Sequence, residues 1–426
     1  MSALNLIPLV RRMGPRDPHE AHRVASPLEL FFDLVFVVAI SSAAAQLHHG
    51  LSAAHYETIL GFGLVFFAIW WAWMNYAWFA SAYDCDDVVY RLLTFAIMAG
   101  SLLLAAGVPD LFDDGQSVAV VTGYAVMRLA MVALWLRVAK DDRPHRTTAL
   151  TYAVGITVVQ GLWIARLALD GAGVLYATFG LLVLAELTVP WLAEQRGGPT
   201  PFHPHHIAER YGLFTIIVLG EVILASVQAI QGVLAKPVTG TSATGHGPVT
   251  AAEAGGGGGL TPGLVLLAVG GLLIVFSLWW LYFKREHVDL IGQGRTMTWV
   301  FSYAHVCVFA AVAAVGAGLA AAVDVVEHAA IAGPRAIAFA LAVPIAVYSM
   351  VLGSLHAAAD HDPRTAVPAI GLSVVVLGIA ALGLEMPLAV LLIGIAMAGA
   401  VAEHVLFARR RLDAAPDDGM PATSAG

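Results

Sequence analysis

Long apolar runs separated by short polar stretches dominate the chain, and their length points to membrane-crossing helices. About 20 apolar residues carry a helix across a bilayer. Twelve runs have that character: Leu28 to His48, Ile59 to Phe79, Tyr90 to Val108, Ser117 to Val138, Ala149 to Leu169, Val174 to Ala193, Tyr211 to Gln231, Thr261 to Phe283, Thr298 to Ala322, Arg335 to Ala357, Ala366 to Leu384 and Pro387 to Phe407. The tight turn at Glu385, Met386 and Pro387 makes the final pair the least regular, and a re-entrant segment is the alternative there. The pattern predicts an all-α integral membrane protein of about twelve transmembrane helices.

The polar stretches supply a check on that count, because Lys and Arg gather on the cytoplasmic side. With the N-terminus inside, 18 of the 22 basic residues fall on cytoplasmic segments and only Arg166, Lys236 and Arg335 fall outside, with Arg128 inside a run. The split favours an even number of spans with both termini cytoplasmic. Composition agrees: of the 426 residues, 59 % are hydrophobic and 12 % charged, half the usual charged share of a soluble domain. The net charge of −8 is spread over loops and tails and gives no reason to expect nucleic-acid binding, and two cysteines make no disulfide framework. The polar, basic first 27 residues precede a run long enough to span, so the first helix is expected to act as its own insertion signal.

Weak internal similarity orders the runs into two halves. Phe67, Trp70 and Trp71 match Phe276, Trp279 and Trp280; Asp141 to Arg146 resembles Asp360 to Thr365; Ala185 and Glu186 match Ala402 and Glu403; Glu29 and Phe31 match Glu209 and Tyr211. Six spans per half put both halves in the same orientation, a parallel six-plus-six repeat. The expected organisation is a cytoplasmic tail (1–27), a first repeat (28–193), an inter-repeat loop (194–210), a second repeat (211–407) with a Gly-rich external insertion (232–260), and a cytoplasmic tail (408–426).

An ionisable side chain deep in a bilayer is costly and marks a candidate site. Glu221 lies mid-run after Gly220, a residue that lets another backbone approach or the helix loosen; Gln228 shares its face two turns on. Arg128 is mid-run in the fourth span and cannot shed its charge, so it needs a carboxylate, with Glu221 and Glu186 at suitable depth. Each of these admits a structural reading as a packing ion pair beside a functional one. Glu186, ahead of Pro190, has a repeat mate in Glu403, which favours packing. Asp33 and Glu29 share one side of the first helix; they suit a cation or proton vestibule, or a simple contact with Arg91. His305 is expected to be a satisfied core histidine. The loop from Phe202 to Glu209, with His203, His205 and His206, matches no zinc pattern and is read as solvated, so no metal or cofactor is assigned. Trp70, Trp71, Trp73, Tyr76, Trp78 and Phe79 read as helix packing and interface belt.

Two motifs carry a resemblance. Ser26-Pro27-Leu28-Glu29-Leu30-Phe31-Phe32-Asp33-Leu34-Val35-Phe36 resembles the opening of the bacterial low temperature requirement protein A (LtrA) family. Ala208-Glu209-Arg210-Tyr211-Gly212-Leu213-Phe214-Thr215-Ile216-Ile217-Val218-Leu219-Gly220-Glu221 looks like its other hallmark. The motif positions are Glu29, Phe32, Asp33, Glu209, Arg210, Gly220 and Glu221; where the family often has serine next, this chain has Val222. The resemblance implies a bacterial multi-pass plasma-membrane protein named for growth in the cold, with no settled substrate.

No Walker loop, dinucleotide fingerprint, nucleophile elbow or HExxH run is present, so neither an ATP-driven pump nor a membrane protease is expected, and the chain is not read as an enzyme. The leading expectation is a secondary transporter using Glu221, with the bilayer and a proton or small solute as partners. The alternative is a non-transporting sensor or scaffold supporting growth at low temperature. A polar crevice at Glu221 favours the first, and a dry centre the second.

Overall fold

The structure is a computed structural model that describes residues 7–18, 20, 23–169, 171–234 and 261–413. Among the described residues it is all-helical: α1 (Pro27–Ser52), α2 (Thr58–Tyr83), α3 (Val88–Ala106), the short α4 (Val108–Asp114), α5 (Val118–Asp141), α6 (Arg146–Ala165), α7 (Ala172–Gly197), α8 (Pro204–Leu234), α9 (Pro262–Phe283), the short α10 (Val288–Ile291), α11 (Arg295–Val326), α12 (Pro334–Asp360), α13 (Val367–Ala381) and α14 (Met386–Asp413). Twelve helical segments are long and apolar enough to cross a membrane, the eleventh being α13 with the 3-10 turn before it. That number is the number of runs in the sequence.

Helix starts follow local chemistry. Ser26 and Glu29 form a reciprocal capping box ahead of α1 with Pro27 in the first turn. Side chains of Asp87, Ser117 and Thr261 accept amide hydrogens at the starts of α3, α5 and α9. The helices enclose α11. Of its apolar stretch 78 % is buried, against 22 % in the last-but-one span, so α11 is the central helix and α13 a peripheral one. Residues from Ala311 to Val323 of α11 are nearly all small and buried, which lets α1, α8 and α12 approach closely.

Backbones approach closely where α3 crosses α5. A Cβ added at Gly100 would lie 2.6 Å from the Gly123 carbonyl oxygen, which is backbone and cannot step aside. Gly100→Val is therefore expected to cost about 1–3 kcal/mol through overpacking. Its unfolding midpoint in mixed detergent should fall, whereas Gly63→Val, where a Cβ meets nothing within 4 Å, should leave it unchanged.

Three readings from the sequence change. The stretch 194–210 is helical at both ends, since α7 runs to Gly197 and α8 begins at Pro204. Part of its loop-like polarity, at Glu194, His203, His206 and Arg210, is turned inward, as described below. The described residues of the first tail are docked on the helices: the Val88 amide donates to the Pro8 carbonyl (3.1 Å), the Arg16 amide to the Ala82 carbonyl (2.9 Å), and the Arg23 guanidinium caps the carbonyls of Ala80 (2.8 Å) and Ser81. Arg16 also approaches Asp84 (3.9 Å), whose carboxyl is pushed up to about 6 by burial. Finally, α14 continues to Asp413, into the expected tail; residues 414–426, and 235–260 of the Gly-rich insertion, lie outside the described residues.

Residues matched between the two halves occupy unlike surroundings. Trp70 and Trp71 are buried, while Trp279 and Trp280 are nearly half exposed; Glu186 is buried and Glu403 exposed. Helix α9 packs most extensively on α14, and α2 on α1.

Candidate functional site

Two polar layers stack along the interface of α1, α8 and α11, separated by aromatic rings. The first lies at the N-terminal ends of α1 and α8. Arg210 donates from Nη1 to Glu29 (2.9 Å) and from Nη2 and Nε to the two oxygens of Asp33 (2.6 and 3.1 Å). Trp73 of α2 donates to Asp33 (2.7 Å), and His206 Nε2 stands 3.2 Å from Glu29. All these groups are buried, so the planar fork of Arg210 ties α1 to α8 in a site shielded from water. Glu209 extends the tie by accepting the Ala25 amide (3.2 Å). Both family-like motifs thus meet in one cluster. Arg91 takes no part in it and pairs with Asp86 (2.7 Å), which corrects the expectation that it faces Asp33.

Beyond the cluster come Phe36, one turn past Asp33, and Phe214, one turn past Arg210. Phe32 stacks on Phe36 (4.5 Å) and Tyr76 (4.0 Å); Trp73 stacks on Phe214 (4.1 Å), and Phe309 of α11 closes on both edge-on. The rings fill the centre, so Trp71, Trp73 and Tyr76 serve packing and not the interface belt.

The second layer is a crevice of about 200 Å³ between α1, α8 and α11. Its polar lining is Ser41, His48, Glu221 and Gln228, and its walls are small residues, among them Ala44, Ala225, Ala313 and Gly316. Ser41 donates its hydroxyl to Glu221. Toward the C-terminal end of α1, Asp324 of α11 accepts from Ser52 (2.7 Å) and pairs with His48 (2.8 Å). The expected role of Gly220 changes: a Cβ there would meet nothing within 4 Å, so no backbone approaches it. The neighbouring Val222 makes the close contact instead, against Gly316 of α11.

Arg128 and Glu186 form a separate buried pair between α5 and α7. Their closest atoms are 2.5 Å apart, and Glu186 also accepts from Trp71 (3.0 Å) and Tyr124 (3.1 Å). Of the two carboxylates at suitable depth for Arg128, the structure places Glu186 against it; Glu221 is not a partner. Among the described residues the Nε and Nη1 groups of Arg128 have no hydrogen-bond partner.

His305 is held as a core histidine: Nδ1 lies 2.7 Å from the Phe301 carbonyl, which can only accept, and Nε2 faces the Tyr282 hydroxyl (3.1 Å). Nearby His287, ahead of α10, is brought down to about 4 by burial and by Arg285. Two of the three histidines after Phe202 are likewise engaged, and His205 is exposed. The His203 ring meets the Glu20 carbonyl (2.9 Å) and His206 meets Glu29, so this stretch is not a solvated loop. Among the described residues no group of three or more His, Cys, Asp or Glu could hold a metal ion.

Ser41 and His48 escaped the reading of the sequence, which took His206 for a loop residue and Trp73 for a packing one. Ser41 and His48 lie seven residues apart, two turns on one face of α1, a spacing that does single them out within an apolar run.

The family profile described as bacterial low temperature requirement A protein (LtrA) matches residues 24–405. The chain is also similar to the uncharacterized protein RA0937 of Rhizobium meliloti (strain 1021), at 30 % identity over 210 residues, 47 % of this chain and 50 % of that protein. The match therefore spans about half the length of that relative.

Proposed function

The chain belongs to the bacterial low temperature requirement A (LtrA) family, and we propose that it is a secondary transporter coupled to protons or small cations, with Glu221 as its ion-binding carboxylate. The observation that carries this reading is the crevice at Glu221. A charged carboxylate at mid-membrane depth is costly, and among the described residues Glu221 has no ion-pair partner to offset it. Proton or cation binding neutralises it, and the Ser41 hydroxyl orients it for either. Walls of alanine and glycine leave room for an ion but bring no competing charge.

The Arg210 cluster and the aromatic layer then form the closed end of the pathway. The crevice runs the other way, toward His48, so this conformation presents Glu221 to the side at which α1 ends. With the termini cytoplasmic, as the distribution of Lys and Arg favours, that side is the outside of the plasma membrane. Release to the other side needs the rings of Trp73, Phe214 and Phe309 to part, which a rocking of two six-helix halves of a parallel repeat would achieve.

Proton flux in proteoliposomes under imposed pH and cation gradients tests this. Wild type should carry protein-dependent flux that Glu221→Gln reduces at least tenfold while its unfolding midpoint stays near wild type. Equal flux in both removes the site. An absence of flux in both removes proton coupling and favours the sensor or scaffold reading.

A further inference from the structure

A second, larger cavity lies away from Glu221, where α7, α8 and α11 meet the loops at 198–203 and 292–294. It encloses about 370 Å³, within the range of about 300–1,000 Å³ typical of small-molecule sites. Proline shapes it: Pro190 removes a backbone donor inside α7, and Pro199 and Pro204 stiffen the loop that follows. Its walls are aromatic, with Trp78, Trp135, Tyr152, Phe202 and Trp299 all contributing. Trp135 stacks on Tyr152 at 4.2 Å and Trp78 meets Phe202 edge-on at 4.6 Å, so these rings are braced by each other. At the rim Arg295 donates from Nη2 to Glu194 (3.0 Å).

Hydrogen-bonding capacity decides the sign of charge the cavity can accept. Each oxygen of Glu194 already accepts a hydrogen bond, one from Arg295 and the other from the Thr200 hydroxyl (3.2 Å). Arg295 offers five N–H groups, has one hydrogen-bonded partner, and its side chain is 41 % exposed. It is also the first residue of α11, a 32-residue helix whose N-cap, Gly294, supplies no side chain to the first-turn amides. Those amides and the guanidinium are donors, and the guanidinium lines the cavity.

We propose that this cavity binds an amphipathic anion: a flat apolar body held between the aromatic walls, with a carboxylate or phosphate on Arg295 at the rim. Glu194 anchors the guanidinium and leaves its other edge to the ligand.

The test is equilibrium dialysis of fluorescent 2-naphthoate against the full chain in phosphatidylcholine nanodiscs. Wild type should bind it saturably, 2-naphthamide at least tenfold more weakly, and 2-naphthylmethylammonium not at all. Arg295→Gln should weaken 2-naphthoate at least tenfold. Gly292→Phe should abolish binding by filling the cavity; a Cβ there meets only the Val288 carbonyl at 3.5 Å, so the chain accommodates the change. Glu221→Gln should bind as wild type does, which separates this site from the transport reading. Phosphatidylglycerol added to the nanodiscs distinguishes the source: competition assigns a lipid headgroup, and no competition a dissolved anion. Failure of wild type to bind, equal binding of the ammonium probe, or unchanged binding by Gly292→Phe overturns the proposal.

Discussion

Arg210→Met is expected to be among the most damaging single substitutions in the chain. It leaves Glu29 and Asp33 facing each other in a site from which water is excluded, with only Trp73, His206 and the Ser26 amide to hydrogen-bond them. Removing one member of a buried ionic cluster costs about 3–5 kcal/mol, a large part of the roughly 5–15 kcal/mol that holds a domain folded. The variant should lose folded yield and unfold at markedly lower dodecyl sulfate fraction in mixed micelles. Arg210→Lys should recover little of this. Three separate guanidinium nitrogens reach two carboxylates, and an ammonium has one centre to offer. A triple variant that also carries Glu29→Gln and Asp33→Asn should recover most of the loss, because its polar groups are uncharged. An unfolding midpoint for Arg210→Met equal to wild type would show that the cluster contributes nothing to holding α1 against α8.

That cluster also shows where reading the sequence succeeds and stops. The twelve spans were legible because length and hydropathy are local properties, and each run carries its own signal. Asp33 and Glu221 were legible as misfits within apolar runs. The partner of Asp33 was not, since Arg210 lies 177 residues away in a polar stretch that looks like a loop. His203, His206 and Arg210, which help to make 202–210 appear solvated, are turned inward, so the polarity that should mark a surface marks a buried tie. Gly220 failed for a related reason: small residues allow close approach, but only the fold says whether a neighbour is there. The packing contact fell two residues further on, at Val222 and Gly316.

Arg128 and Glu186 are expected to show an asymmetry that follows from which of them can lose its charge. Glu186→Gln keeps an amide oxygen to accept from Trp71 and turns an N–H toward the Tyr124 hydroxyl, which can accept it, but strands a guanidinium with two nitrogens unpartnered among the described residues. Arginine stays charged in proteins, so the full penalty of a buried unpaired cation applies, again about 3–5 kcal/mol. Arg128→Met strands a carboxylate instead, which sheds its charge by taking up a proton and keeps two donors, so the cost should be smaller. Combining both substitutions removes both charges, and the double variant should unfold within about 1 kcal/mol of wild type, since replacing a whole buried pair is often near neutral. Measured as unfolding midpoints, equal costs for the two single variants would show that Arg128 reaches water or another partner. The same double variant separates structure from transport. Its pair lies between α5 and α7, apart from the crevice, so proton flux should survive in it while Glu221→Gln, with its fold intact, loses flux. Loss of flux in a well-folded double variant would place Arg128 and Glu186 on the ion pathway and shift the coupling site away from Glu221.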